Sequence, residues 1–116
     1  MKRKSRKAEP QSYRLGTNPY LVKSLDINTG HLTQKEVRFL EEATGGQSEN
    51  PVTAYKYEYG YFVYVPDEND DYQTITKYGY SPQFLTILRR AKELGCKYAQ
   101  FDCDGIQYDD LETYEW

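Results

Sequence analysis

The stretch that decides the fold is residues 81–105, SPQFLTILRRAKELGCKYAQFDCDG. Ser81 offers an N-cap hydroxyl, and Pro82 occupies the first helical position, where a missing N–H costs nothing. Phe84, Ile87, Leu88, Ala91 and Leu94 then recur at i, i+3, i+4, i+7 and i+10, an apolar stripe of helical period that Gly95 ends. Arg89, Arg90, Lys92 and Lys97 lie toward its C-terminal end, where positive charge complements the helix dipole. From Tyr98 the period changes to two. Ala99, Phe101 and Cys103 alternate with Tyr98, Gln100 and Asp102, as in a strand covered by helices on one side, so Cys103 reads as a small core residue.

Upstream, Val52 to Val65 is a β-prone run, VTAYKYEYGYFVYV, with Tyr55, Tyr57, Tyr59, Tyr61, Val63 and Val65 on one parity. Gly60 leaves two readings open, a bulge in one bent strand or a tight hairpin. From Pro66 to Tyr80 the chain reads as a long acidic, tyrosine-rich loop, and loops of that length are functional or disordered. Thr33 stands three residues before Glu36, a capping box, and Val37, Leu40 and Ala43 form the stripe of a short helix closed by Gly45 and Gly46. Residues 20–28, YLVKSLDIN, read as the first strand. The order β-α-β(β)-α-β predicts one α+β domain over residues 19–116. Its form is a two-layer α/β sandwich, a mixed sheet of three to five strands with two helices on one face, ferredoxin-like if Gly60 marks a hairpin turn.

A chain of 116 residues suits one domain that buries roughly 65% of its unfolded surface. Its 13 tyrosines against 4 phenylalanines suit a thin domain, because tyrosine buries a ring while its hydroxyl stays wet. Charge is distributed unevenly. Residues 1–14 carry Lys2, Arg3, Lys4, Arg6, Lys7 and Arg14 against Glu9, a net of +5, which leaves −8 for the rest of a chain of net −3. With no apolar periodicity, residues 1–18 are expected to form a disordered basic arm. Acids cluster at Asp67, Glu68, Asp70 and Asp71, and again from Asp102 to Glu115. No apolar run approaches the ~18 residues of a membrane span, and none follows the basic start as a signal core would. A cytoplasmic protein with reduced thiols and no membrane association is expected.

Cys96 and Cys103 fit no zinc-ligand spacing, and His31 is the single histidine, with no partner to make it a catalytic base. Asp102-Cys103-Asp104-Gly105 after an apolar strand resembles the nucleophile motif of the haloacid-dehalogenase-type phosphatases over five residues. That chemistry also needs Mg²⁺ held by downstream carboxylates and a lysine for the phosphoryl group, and no Lys or Arg follows Lys97. An EF-hand would need a third Asp and a later bidentate Glu. The motif therefore reads as a strand end with an Asp-Gly turn. No catalytic residue, metal, cofactor or enzyme activity is expected.

Binding is expected instead. Tyr72, Tyr78 and Tyr80 in the acidic loop, with Tyr108, Tyr114 and Trp116 in the acidic tail, pair aromatic anchors with negative charge, suited to a basic protein partner or to DNA mimicry. The rival is nucleic acid held by phosphate contacts from Lys2, Arg3, Lys4, Arg6 and Lys7.

Gly30-His31-Leu32-Thr33, the run Tyr59 to Pro66, Ala91 to Cys96, Phe101 to Gly105 and Leu111 to Trp116 together resemble a family of short, functionally uncharacterised proteins of phages, plasmids and integrated elements of bacteria. The resemblance spans about residues 20–116 and leaves the basic arm outside. It implies a mobile-element accessory protein with no catalytic residue to carry over, and the expected protein partner is a host factor bound in counter-defence or element maintenance.

Overall fold

The computed structural model describes residues 21–46 and 49–116; the basic arm expected over residues 1–18 lies outside them. Elements follow in the order β1 (Ser24–Asn28), α1 (Gln34–Thr44), β2 (Ala54–Tyr57), β3 (Gly60–Tyr64), α2 (Asn69–Tyr78), α3 (Pro82–Glu93) and β4 (Tyr98–Asp102), with a 3-10 turn at Thr29–His31. The strands form one mixed sheet in the order β1-β4-β3-β2. β1 and β4 are parallel, and the other two pairs are antiparallel. This is the expected α+β two-layer sandwich, with three helices in place of two.

Gly60 belongs to a hairpin. Tyr57 pairs with Gly60 across a two-residue turn, Glu58 and Tyr59. Only glycine fits there, because a Cβ would lie 1.8 Å from the Phe101 carbonyl oxygen. The ferredoxin-like variant expected with a hairpin is not formed. That arrangement seats β1 inside the sheet, whereas here β1 is an edge strand and the late strand β4 takes the inner place. The turn also splits the expected single parity of the tyrosine run. Cross-strand partners share a face, so Tyr61 and Val63 point to the core while Tyr55 and Tyr57, paired with Phe62 and Gly60, point away.

The expected long loop is mostly α2. Its signal was weak, since Glu68 at the N-cap makes no side-chain cap and the buried face rests on only Tyr72 and Ile75. Asp70 and Asp71 are its first turn, where negative charge complements the helix dipole. Gly79 ends it at φ 126°.

Leu25, Ile27, Tyr61, Val63, Ala99 and Phe101 from the sheet pack with Leu40, Ile75, Phe84, Ile87, Leu88 and Ala91 from the helices. Phe84 stacks on Phe101 with centroids 5.9 Å apart. Leu94, at the C-cap, is instead 52% exposed, and Leu85 takes a place in the core. Buried Glu36 ties two helix starts together. One carboxylate oxygen accepts the Thr33 N–H at 3.1 Å, completing the capping box, and the other accepts the Ser81 N–H at the N-cap of α3 at 2.6 Å. Hydrogen bonds of this charged type contribute about 1.5–3 kcal/mol each.

Residues 106–108 run beside the outer edge of β1, and residues 110–116 continue over the 3-10 turn and α3. The Ile106 carbonyl accepts the Asn28 N–H at 2.9 Å, and the Tyr108 hydroxyl donates to the Asp26 carbonyl at 2.7 Å. His31, 1% exposed, anchors this segment. Its Nε2 accepts the Tyr108 N–H at 3.0 Å, which assigns the proton to Nδ1, 2.7 Å from the Glu112 carbonyl it donates to. Gln83 adds bonds to both Glu112 backbone groups, and Arg90 pairs with Asp110 at 2.6 Å. An edge strand covered in this way presents less free backbone to another chain.

Candidate functional site

Half of each strand's side chains must point away from the helices, and the register arranges them in three rows. These are Ser24, Tyr98 and Tyr64; Asp26, Gln100, Phe62 and Tyr55; and Asn28, Asp102, Gly60 and Tyr57. The result is an aromatic face that no described helix covers. Tyr55 is 56% exposed, Tyr64 38%, and Tyr59 in the hairpin turn 48%. Tyr57 and Phe62 lie 4.9 Å apart, while Tyr55, Phe62 and Tyr64 each meet Tyr98 at 5.8–6.4 Å and 73–79° between planes. Edge-to-face contacts are a preferred aromatic geometry, and here they tie Tyr55, Phe62 and Tyr64 to Tyr98.

Because Gly60 has no side chain, Tyr57 reaches across it. Its hydroxyl donates to Asp102 Oδ2 at 2.5 Å and accepts from Gln100 Nε2 at 3.0 Å. Burial chiefly, and then the Asp102 carboxylate, push the Tyr57 hydroxyl up to about 12. Acids dominate the surroundings: Asp26 in the middle row, Asp102 and Asp104 at one end and Glu58 in the turn. Against them stands Lys97, its Nζ 5.6 Å from the Tyr98 ring centroid. Beside Tyr64 opens a groove of about 200 Å³ lined by Pro51, Val52, Thr53, Pro66 and Asp71.

The D-x-D-G motif is built into the end of this sheet as a turn. Gly105 N–H donates to the Asp102 carbonyl at 2.9 Å, and Asp102 Oδ1 accepts the Asp104 N–H at 2.7 Å. Asn28 Nδ2 donates to the Cys103 and Gly105 carbonyls. At Gly105 a Cβ would lie 2.7 Å from the Ile27 carbonyl group. Cys103 is not the expected core residue. β4 stops at Asp102, and the turn carries Cys103 out to solvent. Asp102, Cys103 and Asp104 have donor atoms within 4.8 Å of one another, the one such cluster among the described residues. Since the turn accounts for the arrangement, no ion is assigned to it.

The residues expected to bind protein fall in different environments. Tyr72 and Tyr80 are core, 1% and 3% exposed, their hydroxyls bonded to the Pro66 carbonyl and to Asn50 Oδ1. A ring enclosed this way offers no contact surface, which corrects the expectation for these two. Tyr78 is half-buried against Phe39. Tyr108 and Tyr114 are half-buried in the segment that follows β4, and Trp116 is 59% exposed with its Nε1–H on the Leu32 carbonyl. Lys2, Arg3, Lys4, Arg6 and Lys7 lie outside the described residues. Tyr55, Tyr57, Phe62, Tyr64 and Tyr98 were not singled out from sequence, though the hairpin reading of Gly60 contained the signal.

Fold and face together define a two-layer α+β domain with one aromatic sheet face that no described element covers. Residues 24–116 match the model of the "Family of unknown function (DUF5983) C-terminal domain", and the chain belongs to that family. No curated protein and no solved structure matches it. Among the described residues, no helix is long and apolar enough to cross a membrane.

Proposed function

We propose that the chain is a non-enzymatic, cytoplasmic binding domain that engages another protein through the open face of its sheet, as a mobile-element accessory protein in counter-defence. The observation that carries this reading is the aromatic cluster of Tyr55, Tyr57, Tyr59, Phe62, Tyr64 and Tyr98, exposed in part and surrounded by acids. Aromatic anchors are the side chains that dominate interface energetics. The absence of catalysis is supported by how the reactive groups are used: His31 spends both nitrogens on backbone, and Asp102 spends both oxygens within its turn and on Tyr57.

A photo-crosslinking residue placed at Tyr55 or Tyr64, with exposed Lys77 of α2 as the control position, tests the reading in cells. Protein adducts from the face and not from the control are expected. Adducts from neither position, or equal adducts from both, would count against it. The second reading, nucleic-acid binding by Lys2, Arg3, Lys4, Arg6 and Lys7, is favoured by the net +5 of residues 1–14. It predicts a salt slope of roughly −4 to −5 in log K against log[salt], at ~0.9 per neutralised phosphate.

A further inference from the structure

On the reading that the open face is the contact surface, we propose that its partner is an arginine-bearing extended segment of a protein. The face is small: strands ~4.8 Å apart with ~3.3 Å per residue give a backbone footprint of about 14 by 17 Å, the size of a short extended segment. Charge then selects among segments. Asp26 lies within the face and exposed Asp71 at the groove, with Glu58 and Asp104 beyond, so a cationic side chain is favoured and phosphates or a second copy of the same acids are opposed.

Shape selects arginine. Neighbouring rings stand at 73–79° to Tyr98, so they do not form the flat platform on which successive bases stack. A planar guanidinium lies on the face of a single exposed ring such as Tyr55 or Tyr64, which an ammonium does less well. Beside Tyr64, the groove offers Pro51, Val52 and Pro66 to the aliphatic stem of an arginine and the Asp71 carboxylate to its head. Alternate side chains of an extended segment are about 7 Å apart, matching the separation of the rows.

The test titrates the full ¹⁵N-labelled chain with a short synthetic peptide alternating Arg and Ser, with Lys and Glu analogues and oligothymidylate as comparisons. Saturable shifts at Tyr55, Phe62, Tyr64, Tyr98 and Asp71 are expected, weaker binding for the Lys peptide and none for the Glu peptide. Tyr64→Ser weakens binding about tenfold and Asp71→Asn about threefold, with unchanged resonances at Ile27 and Phe101 certifying the fold. Undiminished affinity in both variants overturns the proposal. So do shifts of the same residues by oligothymidylate, by raising protein concentration alone, or by replacing Arg3 and Arg6 with Ser in the absence of peptide, which respectively seat a nucleic acid, a second copy or the chain's own arm on the face. If the Arg peptide leaves the face unperturbed while crosslinking from Tyr55 still captures protein, this partner chemistry is wrong and the assignment of the face survives.

Discussion

The two faces of this sheet draw on the same residue type for opposite ends. On the helix side Tyr61 is 5% exposed and bonded to Glu41, and burial followed by that carboxylate raises its hydroxyl above the ordinary range for tyrosine. On the other side, Tyr55 and Tyr64 keep 56% and 38% of their surface. Tyr61 and Tyr64 sit in one five-residue strand, so composition cannot tell them apart. Register does: the two-residue turn at Glu58 and Tyr59 sends β2 tyrosines outward and Tyr61 inward. In a tyrosine-rich strand pair, the turn decides which rings become core and which remain free to touch something else.

The largest effect expected contrasts the faces directly. Phe101→Ala removes a fully buried ring stacked on Phe84 and should cost about 3–5 kcal/mol. Tyr64→Ser, on the adjacent strand but the open face, should stay within about 1 kcal/mol. Urea denaturation of the two variants measures both, and equal losses would erase the distinction between the faces. Next comes Glu36→Ala, which leaves the Thr33 and Ser81 N–H groups without their carboxylate acceptor. A loss of about 2–4 kcal/mol is expected, with Glu36→Gln losing less, and faster amide exchange at Ser81 should accompany it.

The smallest effect is alkaline. The folded chain holds the Tyr57 proton more tightly than the unfolded chain does, up to about 12 against an ordinary 10.0. The resulting stabilisation is therefore intact below pH 10 and lost as pH rises from 10 to about 12. The late part of the phenolate absorbance titration should lose the amplitude of one tyrosine in Tyr57→Phe, and Asp102→Asn should move that contribution down in pH. A titration unchanged by Tyr57→Phe would break the account of that polar corner.

What could be read from sequence was whatever depends on neighbours a few residues apart. The Thr33–Glu36 box, the Ser81-Pro82 start of α3 and the alternation Tyr98 to Asp102 are local patterns, and each stands in the structure. α2 escaped because its buried face is made of Tyr72 and Ile75 among polar residues, with no capping side chain to announce it. The site escaped for a different reason. Which tyrosines surface depends on pairing Tyr57 with Gly60, and at Gly60 the deciding neighbour is Phe101, forty-one positions along the chain. The place of His31 likewise depends on Tyr108 and Glu112, far beyond any local pattern.

The inner position of β4 has a consequence for how the molecule is made. During synthesis β1 and the β2–β3 hairpin leave the ribosome well before the strand that lies between them. Until residues 98–102 emerge, the nascent chain holds two halves of a sheet with no strand to join them, and the β1–β4 pairing closes a loop of more than seventy residues. Contacts so distant along the chain slow folding, because loop closure must precede the contacts that reward it. Completion of this domain is thus a late and cooperative event, in which one strand inserts between two waiting partners.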